Sequence, residues 1–159
     1  MGQKQFDYYI FIDYSENFLG YMIIEISKIN DFLKNITKFS HYRELKYKSA
    51  YIHSIKRVIE RNQVLSYILK KKIKKVTETP EIYSDILGFL KEHNNCLIFI
   101  SVDNRQYVNF EKLVKIIDGA NTKIVKESEL KKDSPEYRMS LVLDTLLNIE
   151  RLNYLNKSV

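Results

Sequence analysis

Asp13 closes the apolar run Tyr8-Tyr9-Ile10-Phe11-Ile12, and Asp103 closes a second one, Ile98-Phe99-Ile100-Ser101-Val102. Open α/β sheets place ligands outside the carboxyl ends of their strands, so carboxylates at two such ends can face one crevice. Asp144 sits inside Leu141-Val142-Leu143-Asp144-Thr145-Leu146-Leu147, where an unpartnered carboxylate would be costly. Taken singly, each has a plain structural explanation. Strand-end aspartates often begin turns, and Asp144 can face solvent on an amphipathic helix. The combination says more, because carboxylates drawn from two strands and a helix can hold the hard divalent cations that phosphoryl chemistry uses.

The elements that must position them follow from periodicity. Residues 6–12 and 19–26 are rich in aromatic and β-branched side chains and flank a polar interruption at Ser15-Glu16-Asn17, which predicts a β-hairpin. Ser27 offers an N-cap to an amphipathic helix carrying Ile29, Phe32, Leu33 and Ile36 and reaching Phe39. A second helix is expected from about Ser49 to Glu60, with Ile52, Ile55 and Ile59 on one face. Residues 64–69 fit a short buried strand or a continuation of that helix, and the strand is preferred. Thr79-Pro80 supplies a cap and a proline at the first helical position for a helix from Pro80 to about His93.

Leu97 to Val102 is a near-continuous apolar run, the pattern of a strand buried on both faces. A helix over residues 107–117 stopped by Gly119, a strand over 122–126, and a long helix from Ser134-Pro135-Glu136 to about Tyr154 complete the chain. The fold class expected is α/β: a mixed β-sheet with an N-terminal antiparallel hairpin and helices on both faces, in one domain over residues 1–159.

Composition excludes several classes. With 45% hydrophobic and 29% charged residues the 159-residue chain is ordinary for a globular protein. The lone Cys96 lies in an apolar run and permits no disulfide framework. No apolar run approaches the roughly 18 residues of a membrane span, and no signal-peptide pattern opens the chain, so a cytoplasmic protein without a membrane partner is expected. The net charge of +6 and a pI near 9.2 suit a nucleic-acid partner. The densest basic run, Lys70-Lys71-Lys72-Ile73-Lys74-Lys75, reads first as a solvated surface. His41, His53 and His93 lack zinc-ligand spacing, although His41 lies close enough to Glu44 for proton transfer if that segment lines a site. Phosphate-binding glycine loops and serine-hydrolase elbows are absent.

Phe11-Ile12-Asp13-Tyr14-Ser15, the hairpin after it, Glu44-Leu45-Lys46, the strand end Val102-Asp103 and the late aspartate of Ser140-Leu141-Val142-Leu143-Asp144-Thr145 occur in a telling order. In that order they resemble a ribonuclease H-like family of unknown function that begins with Phe-Ile-Asp-Glu-Ser-Gly. That resemblance spans residues 7–151 and implies a ribonuclease H-like fold. It also implies a four-carboxylate site of Asp13, Glu44, Asp103 and Asp144, both catalytic and metal-binding. Tyr14 replaces the glutamate of the first motif and Glu16 its glycine, and the glutamine of the late motif is missing.

Carboxylates so placed lead to the expectation of phosphodiester hydrolysis of nucleic acid, RNA or DNA, by two Mg²⁺ or Mn²⁺ ions about 4 Å apart. Arg43, Lys46, Arg105 and Arg138 are the candidate phosphate contacts. Residues 42–48 with Tyr51 interleave bases and rings as single-strand binding surfaces do, and as ordinary amphipathic packing also does. The alternative is a non-catalytic nucleic-acid or protein-binding module on the same scaffold, for which the altered first motif speaks. A homo-oligomer is left open.

Overall fold

The computed structural model describes residues 6–118 and 122–157. Strand β1 (Tyr8–Ser15) turns back through Glu16, in the left-handed region at φ 54°, into β2 (Phe18–Glu25). The antiparallel register sets Asp13 opposite Gly20. Helices α1 (Ile29–Lys34) and α2 (Lys48–Arg61) follow, then β3 (Lys70–Lys75), α3 (Thr79–Glu92), β4 (Cys96–Ile100), α4 (Asn104–Asp118), β5 (Lys123–Lys126) and α5 (Pro135–Lys157). The five strands form one sheet in the order β3-β2-β1-β4-β5. β1 pairs antiparallel with β2 and parallel with β4, so the sheet is mixed as expected.

Strand alternation divides the core into two layers. Phe11, Met22, Ile24 and Phe99 meet α1, α2 and α5 on one face. Ile10, Ile12, Tyr21, Ile23, Ile98 and Ile100 meet α3 and α4 on the other. The expected helix over 49–60 is α2, and Ile52, Ile55 and Ile59 are its buried residues. Ser134 caps α5: its Oγ accepts the Tyr137 N–H at 3.2 Å, with Pro135 at the first helical position. None of the helices among the described residues is long and apolar enough to cross a membrane.

Two elements depart from the periodicity reading. The first helix ends at Lys34, short of Phe39, because the Asn35 carboxamide donates to the Asp31 carbonyl at 2.9 Å and gives the backbone an alternative to another turn. Ile36 and Phe39 nevertheless stay buried. Residues 64–67 form a 3₁₀ turn, and the strand expected there is the lysine run that follows. Lysine is a weak strand former, so pairing with β2 decides the conformation. Lysines on an outermost strand also oppose pairing with a further chain. Lys72 is tied down, 2.6 Å from Asp85 and 3.2 Å from Glu81 on α3. The Gly119 stop lies outside the described residues.

Helix α5 packs across β1 and β2. At Gly20 a side chain would crowd β3 first and α5 second. A Cβ there would lie 2.9 Å from Ile73 Cγ1, 3.1 Å from the Lys72 carbonyl oxygen and 3.2 Å from Leu147 Cδ2. Gly20→Ala should therefore destabilise the protein by about 1–3 kcal/mol, read as a lower urea midpoint at unchanged slope.

Candidate active site

Alternation along β1 sends Asp13 to the same face as Phe11, beneath α5, and the carboxylate is only 8% exposed. It accepts the Tyr14 N–H at 2.7 Å and a hydrogen bond from the Ser101 side chain. Those bonds favour ionisation but lose to burial, to Glu127 and to Asp144, which together hold its pKa well above the ordinary carboxylate range. Asp144 faces it from α5 and is 7% exposed. Burial raises its pKa as well. Tyr42 donates its N–H to Oδ2 at 2.9 Å, and His41 and Arg43 add positive charge, without fully offsetting that burial.

The segment that supplies those groups is held to α5 by a tyrosine. The Tyr51 hydroxyl accepts the Ser40 N–H at 3.0 Å and lies 2.9 Å from the fully buried Thr145 Oγ1. One turn beyond Asp144, the Asn148 carboxamide accepts from Ser15 Oγ at 3.0 Å and from Arg151 at 3.1 Å, and donates to the Asp144 carbonyl at 2.8 Å. The two aspartates thus open into a cleft of about 330 Å³ that carries His41, Arg43, Lys48 and Arg151 on its walls. His41 Nδ1 and Arg151 Nε are buried there without hydrogen-bond partners among the described residues.

The structure gathers only part of the set that sequence reading nominated. Asp103 is exposed and acts as the N-cap of α4: its Oδ1 accepts the Gln106 N–H at 2.8 Å and its carbonyl the Tyr107 N–H at 2.9 Å. β4 ends at Ile100, so the chain has already turned when it reaches Asp103, and Ser101 is the residue that meets Asp13. Glu44 is exposed in the 3₁₀ turn 42–44, with a loose contact of 3.9 Å to Lys132. Among the described residues no group of three or more His, Cys, Asp or Glu side chains is arranged to hold a metal ion.

Of the nominated bases, Arg43 lines the cleft, whereas Lys46 and Arg105 are exposed and stand outside its lining. Arg138 has a structural bond, donating to the Leu33 carbonyl at 2.9 Å and tying α5 to α1. Sequence reading took Lys48 only as part of the basic and aromatic run 42–48, and it missed Arg151, Asn148 and Glu127. Glu127 directly follows β5, so the strand-end rule that picked Asp13 would have found it.

No protein-family model matches the chain, and no curated protein does. Among solved structures, the chain is similar to one described as the PCNA:RNase HII complex from Archaeoglobus fulgidus. The TM-score is 0.51 at 10% identity, and the match covers 94% of this chain and 73% of that one. The fold is ribonuclease H-like. At that identity the likeness speaks for architecture alone, and in this ribonuclease H-like sheet the cleft lies at the carboxyl ends of β1 and β4.

The raised pKa values fix a sign for pH dependence. A carboxyl whose folded-state pKa exceeds its unfolded value keeps its proton after the unfolded chain has lost it. Stability then falls as pH rises from about 4 toward the folded value and stays lower above it. Asp13→Asn removes that loss. The variant should be about 0.5–2 kcal/mol more stable than wild type at neutral pH in urea unfolding, with the gain vanishing below about pH 4.

Proposed function

We propose that the chain is a divalent-cation-dependent nuclease acting on the phosphodiester bonds of nucleic acid. One observation carries the reading: Asp13 and Asp144 are buried carboxylates whose pKa values stay raised, the positive charge near Asp144 not offsetting its burial, in a cleft whose walls bear Arg43, Lys48 and Arg151. Acidic floor and basic walls suit a cation and a phosphate together. Mg²⁺ is commonly bound by one or two carboxylates, with water and substrate phosphate completing its shell, and the two aspartates fit that donor set. The two-ion arrangement expected from the sequence draws on Asp103 as well, with Glu44 as a further ligand. The proposal is therefore reduced to Mg²⁺ or Mn²⁺ on Asp13 and Asp144.

Such an ion supplies Lewis acidity at the phosphoryl oxygen and acidifies a bound water. The residues of the chain do the rest. The Tyr14 N–H and Ser101 orient Asp13, and the Tyr42 N–H orients Asp144, so neither carboxylate must reorganise. Arg43, Lys48 and Arg151 bind and align the phosphates. Tyr14 occupies the place of the acidic residue in the family motif and is exposed beside the cleft, where a ring can lie against a nucleotide.

Cleavage of labelled RNA and DNA, single-stranded and duplex, should require Mg²⁺ or Mn²⁺ and stop in EDTA. Asp13→Asn and Asp144→Asn should each slow it by about 100-fold or more. Mn²⁺ should raise the melting temperature of wild type and not of Asp13→Asn. Asp103→Ala should cost about 1 kcal/mol of stability through the lost cap while leaving cleavage within a few-fold. Undiminished metal-dependent cleavage by Asp13→Asn would overturn the proposal. A Mn²⁺ shift without turnover on any substrate would favour the non-catalytic binding module.

A further inference from the structure

A second cleft, of about 570 Å³, adjoins the first. Glu16 and Arg151 line both. Beyond Arg151 its walls are Phe18, Lys75 and Tyr154, joined by Asn17, Thr77 and Leu155. The character changes from acidic and polar to aromatic and basic. Tyr154 is 42% exposed, its ring set edge-to-face on the buried Phe18 at 5.7 Å between centroids. The ammonium of Lys75 lies 4.1 Å from the Tyr154 ring centroid and donates to its hydroxyl at 2.7 Å.

An anchored, half-exposed ring with Lys75 against it and Arg151 on the wall of the same cleft is the composition of a single-strand subsite. A base stacks on the ring and the flanking phosphates meet the cations. We propose that this groove holds an unpaired nucleotide next to the bond presented to Asp13 and Asp144, and so that the substrate is single-stranded or carries a single-stranded arm. The inference rests on the nuclease reading in taking nucleic acid as the ligand.

Continuity fixes the path. Arg151 belongs to both clefts, so a phosphate held there leaves one neighbouring nucleotide over the aspartates and the next over Tyr154. A base on the ring displaces Lys75 from it. An exposed cation–π contact is worth less than a stacked base, and the freed ammonium gains a phosphate. Paired bases offer no free face to a side-wall ring, and on that ground the groove selects single strands.

Binding in EDTA separates the groove from catalysis. The probes are fluorescein-labelled oligo(dT) and oligo(U) of about 12 nucleotides, with a duplex of equal length, followed by anisotropy. Tyr154→Ala should weaken single-strand binding about five- to 150-fold and leave the duplex unchanged, and Tyr154→Phe should keep most of the affinity. Lys75→Gln, an exposed change that tests the groove even if Tyr154→Ala unfolds, should flatten the dependence of log affinity on log salt by about 0.7. Single-strand binding insensitive to both positions, equal losses on duplex, or no single-strand binding by wild type would overturn the inference. If the binding effects appear while wild type cleaves nothing, the groove stands and the nuclease reading falls. If cleavage is lost in Asp13→Asn but binding ignores Tyr154 and Lys75, the groove alone falls.

Discussion

The seat of α5 on the hairpin at Gly20 is the constraint on which the rest depends. A Cβ there would press first on Ile73 of β3, at 2.9 Å, and then on Leu147 of α5, at 3.2 Å. Gly20 is the register partner of Asp13, and Asp144 lies one helical turn before Leu147. The apolar contact that seats the helix therefore also sets how close the two carboxylates come. A larger residue at position 20 would lift α5 and lose packing and site geometry together, because interiors at native density pass such shifts on rather than absorb them.

That geometry is electrostatically unfavourable in the isolated chain. Asp13 is buried beside Asp144 and within the field of Glu127, and its two hydrogen bonds do not restore the hydration it has lost. A site of pure structural origin would pair those carboxylates with cations on neighbouring elements. Here the cations stand apart, on the cleft walls, and reach Asp144 only as moderating charge. The separation leaves negative charge on the floor and positive charge at the opening, which accommodates a cation below and an anion above.

Much of the fold was legible because its signals are local. Apolar runs gave β1, β2 and β4, helical spacing gave α2, and Ser134-Pro135 marked the start of α5. What the sequence hid is set by tertiary context. β3 is a strand because β2 offers a ladder to six residues of which five are lysine, and composition alone makes that stretch look like solvated surface. The same holds for the site. Asp13 and Asp144 could be named from their apolar surroundings, whereas Asp103 shares the strand-end pattern and yet serves a helix, since where β4 gives way to α4 depends on a turn that no periodicity describes.

Helix α5 shows how a feature can be periodic and still go unread. Asp144, Asn148, Arg151 and Leu155 recur at steps of four, three and four, with Tyr154 beside the last, so they lie along one stripe of a helix roughly 34 Å long. Along that stripe come in turn a candidate cation ligand, the carboxamide that braces it, the basic side chain shared by both clefts, and the ring at the far end. Leu143, Leu146 and Leu147 bury the neighbouring stripe. An amphipathic helix is usually read for its apolar face alone, with the polar face assigned to solvent. In α5 the polar stripe runs along both clefts, so the order of the candidate-site residues follows the residue order of a single helix, and the spacing of its polar residues was there to be read from the start.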